Sequence, residues 1–172
     1  MGFYGQIQDF PFHWRMHYRP ITPDDFRSTF EVRVKTWHNR HGAEELALMG
    51  VNEESIRQRL ATTHAGWLAE EEGQVVGFAM GDKETGEMWV IAVLSEFENR
   101  GIGKELLRLV EGWLVSEGCE TLWLTTDPDE NYRAVGFYRH LGWRDWKMEN
   151  GDRFMRKMSD QLPLGQQREY VE

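Results

Sequence analysis

Cysteine is almost missing from this chain: Cys119 is the only one among 172 residues, so no intramolecular disulfide can form, and a reducing compartment is the simpler setting. It reads as a small buried residue. No run of about eighteen apolar residues exists to cross a bilayer as a helix. Met1 to Trp14 lacks the basic start and apolar centre of a signal peptide, and Gln6 stands where a myristoylation signal opening at Gly2 needs Ser or Thr. The expectation from these absences is a cytoplasmic protein. Positive charge is also scarce. Twenty Lys and Arg against 29 Asp and Glu leave a formal net charge of -9, which argues against nucleic acid or an anionic membrane as partner, since both reward clustered cations. An acidic surface suits amine substrates. Internal repeats and low-complexity tracts are absent.

What is present, 40% hydrophobic and 28% charged residues, is ordinary for one soluble domain with a sizeable core. Residues 1–14 carry Phe3, Tyr4, Phe10, Phe12 and Trp14 without helical or strand period, and read as an arm packed on the domain or on a partner subunit. The domain is expected over 15–158, with a polar, loose tail over 159–172. Arg15 to Ile21 reads as a first strand. Thr22-Pro23-Asp24-Asp25 reads as a helix start with a Thr cap, a Pro in the first turn and acids beside it. Phe26, Phe30, Val34 and Trp37 then share a helical face, and the helix is expected to end near Arg40 to Gly42. The segment from His38 to Asn52 is polar and poorly periodic; a second helix is expected after Asn52, with Ile56 and Leu60 as its apolar positions.

Gly66 to Glu70 and Gln74 to Met80 form a hairpin about Glu71-Glu72-Gly73. A turn at Thr85-Gly86 leads into Glu87 to Val93, apolar enough for a central strand covered on both faces. Ile102, Leu106, Leu107, Leu109, Val110, Trp113 and Leu114 make the stripe of an amphipathic helix ended by Gly118. Thr121 to Thr126 is a strand and Tyr132 to Leu141 a short helix. Trp143 to Met148 and Arg153 to Met158 are final strands turned at Glu149 to Asp152. This order predicts an α/β fold, layered as α+β, with a mixed sheet that is not doubly wound.

Between the central strand and the amphipathic helix lies Glu98-Asn99-Arg100-Gly101-Ile102-Gly103-Lys104. Glycines let backbone approach a ligand closely, and a helix starting there aims unpaired N–H groups at it, which suits a phosphate. It is not a P-loop, because Glu98 and Glu105 stand where that loop needs Gly and Ser or Thr. Neither is it a dinucleotide fingerprint, because Leu106 replaces the third glycine. A turn with no ligand is the remaining alternative for the turn taken alone.

Val93 to Leu107, together with Asn131-Tyr132-Arg133-Ala134-Val135-Gly136-Phe137-Tyr138-Arg139-His140-Leu141-Gly142-Trp143, resembles the GNAT family of acetyl-CoA-dependent N-acetyltransferases. The likeness extends more loosely over Arg15 to Lys157, including the hairpin ending in Val76 to Ala79. It implies a mostly antiparallel mixed sheet flanked by about four helices, with its fourth and fifth strands splayed around the acyl-pantetheine arm. The family's Gln/Arg-x-x-Gly-x-Gly/Ala falls on Glu98, Asn99, Arg100, Gly101, Ile102 and Gly103. Glu98 departs from it by placing a carboxylate near a pyrophosphate; since the cradle works through backbone N–H groups, binding should survive. Glu98 is expected to face water or pair with an Arg. Arg100, Lys104, Arg133 and Arg139 are local positive charge or solvated surface.

The likeness further implies Tyr138 as general acid for the departing thiolate, with a core tyrosine as the alternative. It implies the Val93 N–H as donor to the thioester oxygen, and Asn131 as a pantetheine contact or a helix cap. From the residues themselves, Glu87 is the choice for general base: two-residue alternation puts it on one face with Trp89, Ile91 and Val93, although a solvated strand-end residue would look the same. His38, His41, Glu44 and Glu45 do not match a metal-binding spacing, and the family implies that this stretch borders the acceptor. The resulting expectation is an N-acetyltransferase moving an acetyl group from acetyl-CoA to a small-molecule, peptide or protein amine by direct transfer in a ternary complex, without a metal. A homodimer is a family-level expectation. The alternatives are a non-catalytic acyl-CoA-binding regulatory protein, and a transferase of longer acyl groups or to a non-amine acceptor.

Overall fold

The structure, a computed structural model, describes residues 16–36 and 42–162. Expectations for the aromatic arm, Trp37, His38, His41 and the chain beyond 162 lie outside the described residues. The β-prone runs form β1 (His17–Pro20), β2 (His64–Glu71), β3 (Gln74–Asp82), β4 (Glu87–Val93), β5 (Thr121–Thr126), β6 (Arg144–Glu149) and β7 (Asp152–Met158). They join in one seven-stranded sheet of order β1-β2-β3-β4-β5-β7-β6. Only β4 and β5 run parallel; the other neighbours are antiparallel. Glu72-Gly73 and Asn150-Gly151 place both residues of each hairpin loop at positive φ, the backbone that fits the twist of the flanking strands.

The helices are α1 (Phe26–Lys35), α2 (Ala43–Leu48), α3 (Glu53–Thr62), α4 (Ile102–Ser116) and α5 (Arg133–His140). The stripe read for α4 is the one it buries: Ile102, Leu106, Leu107, Val110 and Leu114 are each at most 2% exposed and pack over β2, β3 and β4. At about 2 kcal/mol for each large apolar side chain removed from water, this helix anchors its side of the sheet. α3 starts at Asn52, whose side chain accepts the Ser55 N–H at 2.9 Å.

Several expectations are corrected. α1 ends at Lys35, well before Arg40: Thr36 turns extended and its hydroxyl donates to the Val32 carbonyl at 2.6 Å. Its buried face is Thr29 and Val32, whereas Val34 is 40% exposed. Small side chains let the helix lie against β3, while Phe26 and Phe30 pair with each other at 5.5 Å on its flank. α2, in the stretch read as irregular, brings the α-helices among the described residues to five; a single buried residue, Leu46, gives it too little apolar pattern to detect. Cys119 is half-buried rather than buried, with its thiol 3.3 Å from the Lys83 carbonyl. The chain from Ser159 begins with a 3-10 turn, and Leu162 is in the core.

Candidate active site

β4 and β5 meet at a single residue pair, Glu87 with Trp123. That junction is held by the Trp123 N–H on the Gly86 carbonyl at 3.1 Å and the indole N–H on the Thr85 carbonyl at 2.8 Å. Beyond it the strands separate. On the β3 side the pairing passes from Met80 with Val90 to Gly81 with Met88, leaving Trp89 as an extra residue; such a bulge bends a strand and increases its twist. Leu94 donates its N–H to the Val76 carbonyl at 2.9 Å, toward β3. By alternation along an antiparallel strand, Val93 and Ile91 direct their N–H groups to the other side, into the gap.

The gap is a cleft of about 780 Å³, lined by β4, the glycine turn, the start of α4, the end of β5 and one face of α5. At its mouth Asn99 and Gly101 sit at φ 62° and 82°, and Gly101 caps α4. A Cβ on Gly101 would meet nothing within 4 Å, so its left-handed backbone is what asks for glycine there. Ile102, Gly103 and Lys104 line the cleft, and as the first residues of a helix their N–H groups have no intrahelical acceptor. These donors, the positive end of a fifteen-residue helix and the cleft's size fit the pyrophosphate and acyl-pantetheine arm of acetyl-CoA. Glu98 pairs with Arg133, as one of its two expected outcomes had it. Arg100 instead turns away to Glu71 and lies 5.2 Å over the Phe97 ring, and it is not among the lining residues.

Tyr138 lines the cleft from α5 at 7% exposure, edge-on to Phe137 at 5.4 Å and Trp143 at 6.1 Å. Burial holds its phenol well above the usual range, so it keeps its proton at any physiological pH. Glu87 lines the opposite end. Burial raises its carboxyl, Asp82 adds to the rise and Arg59 opposes it. Beside it, Trp89 carries Arg59 at 4.9 Å and Arg33 at 5.5 Å over its ring, with His64 edge-on at 5.2 Å.

The expected shared face of Glu87 and Val93 is corrected: the extra residue at Trp89 breaks the alternation, so that Glu87 pairs with Asp82 and Val93 with Gly77, an odd number of positions apart on β3 and therefore on opposite faces. The two are six residues apart, roughly 20 Å along a strand. The Ile91 N–H, aimed into the same gap, is two residues nearer the carboxylate; strand alternation alone identifies it, and sequence reasoning passed over it. Arg33 and Arg133 were likewise not singled out as site residues. Asn131 is not a lining residue: its side chain donates to Asp129 at 3.1 Å, and Tyr132 rather than Asn131 is the cap of α5. Glu44 and Glu45 are exposed on α2. Among the described residues no cluster of His, Cys, Asp or Glu could hold a metal, and no helix is long and apolar enough to cross a membrane.

The sequence model described as the "Acetyltransferase (GNAT) family" matches residues 24–143. Among solved structures, the PaiA N-acetyltransferase of Thermoplasma acidophilum in complex with coenzyme A superposes with a TM-score of 0.73 at 18% identity, covering 84% of this chain and 99% of its own. YncA, a putative acetyltransferase of Salmonella typhimurium with its cofactor acetyl-CoA, gives 0.66 at 15% identity, covering 87% and 96%. The ribosomal-protein-S18-alanine N-acetyltransferase of Escherichia coli gives 0.66 at 17% identity, covering 84% and 94%. At these identities the likeness is one of fold.

Proposed function

Since the chain belongs to the GNAT family of acetyl-CoA-dependent acetyltransferases, we propose that it transfers the acetyl group to an amine nitrogen, directly, within a ternary complex of protein, donor and acceptor. The observation that carries this reading is one cleft joining an anion cradle, a buried phenol and a half-buried carboxylate. Acetyl-CoA supplies the activated thioester. The N–H groups of Ile102, Gly103 and Lys104 hold its pyrophosphate, and the gap between β4 and β5 receives the pantetheine arm. The Val93 or Ile91 N–H stabilises negative charge developing on the thioester oxygen; losing such a donor elsewhere costs roughly 3 kcal/mol. Tyr138 gives its proton to the departing sulfur. Glu87 takes a proton from the amine through a water, since it stands at the far end of the cleft.

Direct transfer is favoured because no thiol serves the cleft: Cys119 sits beyond the C-terminal end of α4, is not a lining residue, and has its thiol pKa raised by burial. We read the setting as cytoplasmic, in keeping with a single cysteine. The test is CoA release with acetyl-CoA and a panel of small amines, amino acids and peptides. Intersecting initial-rate lines are expected for a ternary complex, and parallel lines would replace it with an acyl-enzyme. Tight acetyl-CoA binding with no release across the panel would make the chain a binding protein.

A further inference from the structure

Arg133 is the first residue of the helix that follows β5, and Glu98 lies in the turn that follows β4. β4 and β5 are the two sides of the gap, so a bond between these side chains spans it. The Arg133 fork makes two such bonds: Nη1 donates to the Glu98 carboxylate, and Nη2 donates to Asn99 Oδ1 at 2.8 Å. All three residues line the cleft next to the open N–H groups of α4.

An anion held on those N–H groups sits beside a carboxylate that repels it and a guanidinium that matches its oxygens in a planar fork. We propose that Arg133 is a phosphate ligand held in reserve: the Glu98–Arg133 strap spans the cleft, and the cofactor's pyrophosphate takes Glu98's place on the guanidinium. No covalent bond changes. Glu98 thus acts as a resident competitor that weakens the hold on CoA, and Arg133 as the residue that selects phosphate-bearing donors. This rests on the acetyl-CoA reading above and names how that site regulates cofactor entry.

The two side chains belong to one strap, which gives the test its discriminating power. If the strap only braced the fold, breaking it from either end would change CoA affinity in the same direction. Exchange requires opposite directions. Calorimetric titration of the full chain with CoA is expected to show tighter binding for Glu98→Gln by several-fold and weaker binding for Arg133→Gln by roughly tenfold, as befits a charge-assisted pair near the surface. Arg133→Lys, which keeps the charge without the fork, falls between wild type and Arg133→Gln. In the Arg133→Gln background the gain from Glu98→Gln shrinks. Titration with pantetheine, which lacks the phosphates, separates this from a shape effect: both substitutions should alter CoA binding more than pantetheine binding. Changes of the same sign, or equal effects on CoA and pantetheine, overturn the exchange while leaving the acetyl-CoA reading intact. Failure of wild type to bind CoA removes both. Thermal melts of each variant show whether a loss reflects unfolding, and Glu98→Gln keeps the proposal testable in that event, because unfolding cannot tighten binding.

Discussion

Tyr138 and Glu87 are both pushed upward by burial, and for catalysis the same push has different consequences. A phenol with a raised pKa retains its proton, which is what a donor to a thiolate needs. Tyr138→Phe removes that proton and little volume, so we expect kcat to fall by about a hundredfold or more while acetyl-CoA affinity, measured by calorimetry, stays near wild type; unchanged turnover would remove Tyr138 from the mechanism. A carboxylate with a raised pKa must lose its proton before it accepts another. Activity should therefore decline as pH falls, with a midpoint above the ordinary carboxylate value of 4.5. Glu87→Gln should lower kcat/KM and flatten that acidic limb in a pH series. An acidic limb that survives the substitution assigns the base elsewhere.

Elements explain what reading the chain alone reaches and what it misses. α4 and the hairpins were legible because their patterns are local: a 3.6-residue stripe, or a turn dipeptide between β-formers. α1 was misread in length and face, because its end depends on the Thr36 hydroxyl finding Val32, and its buried face on which small residues fit against β3. The glycines of the turn and the helix start after them are legible in the sequence, yet the bond from Arg133 to Glu98 joins residues 35 positions apart, and only the register of β4 and β5 brings them together. The start of α1 makes a stability prediction. Asp25 is 8% exposed and accepts two bonds from Arg19, at 2.7 and 2.8 Å, and one each from the Thr22 N–H and hydroxyl. Arg19 chiefly, then Thr22, hold its carboxyl down at about 2 against a burial effect that works the other way. A lowered carboxylate stabilises the fold above its unfolded value of 3.8 and loses that contribution as pH drops toward about 2. Asp25→Asn should thus cost about 1–2 kcal/mol at neutral pH, allowing for the partial exposure of Arg19, and the deficit seen in denaturant titrations should vanish across that acid window. At the junction of β4 and β5, Gly86 has φ 76°, and a Cβ there would lie 2.4 Å from the Thr121 carbonyl oxygen. Gly86→Ala is expected to lower the melting temperature by several degrees and to weaken CoA binding by forcing the junction apart.

At the scale of the whole molecule, one continuous sheet serves as two half-sheets, β1 to β4 and β5-β7-β6, fastened at one pair of residues. The first carries α4, α1 and the proposed base; the second presents α5 with Tyr138, so the proposed chemistry lies across the division. Such a gap is an unusual inner border: β4 offers N–H groups there that a complete ladder would have occupied. The amide protons of Ile91 and Val93 should therefore trade with solvent deuterium far faster than those of Ala92 and Leu94, which face β3. Occupancy of the cleft should slow the fast pair selectively. A residue-resolved exchange experiment with and without CoA would read that difference along four consecutive positions of the backbone, giving a gauge of ligand entry that needs no knowledge of the acceptor.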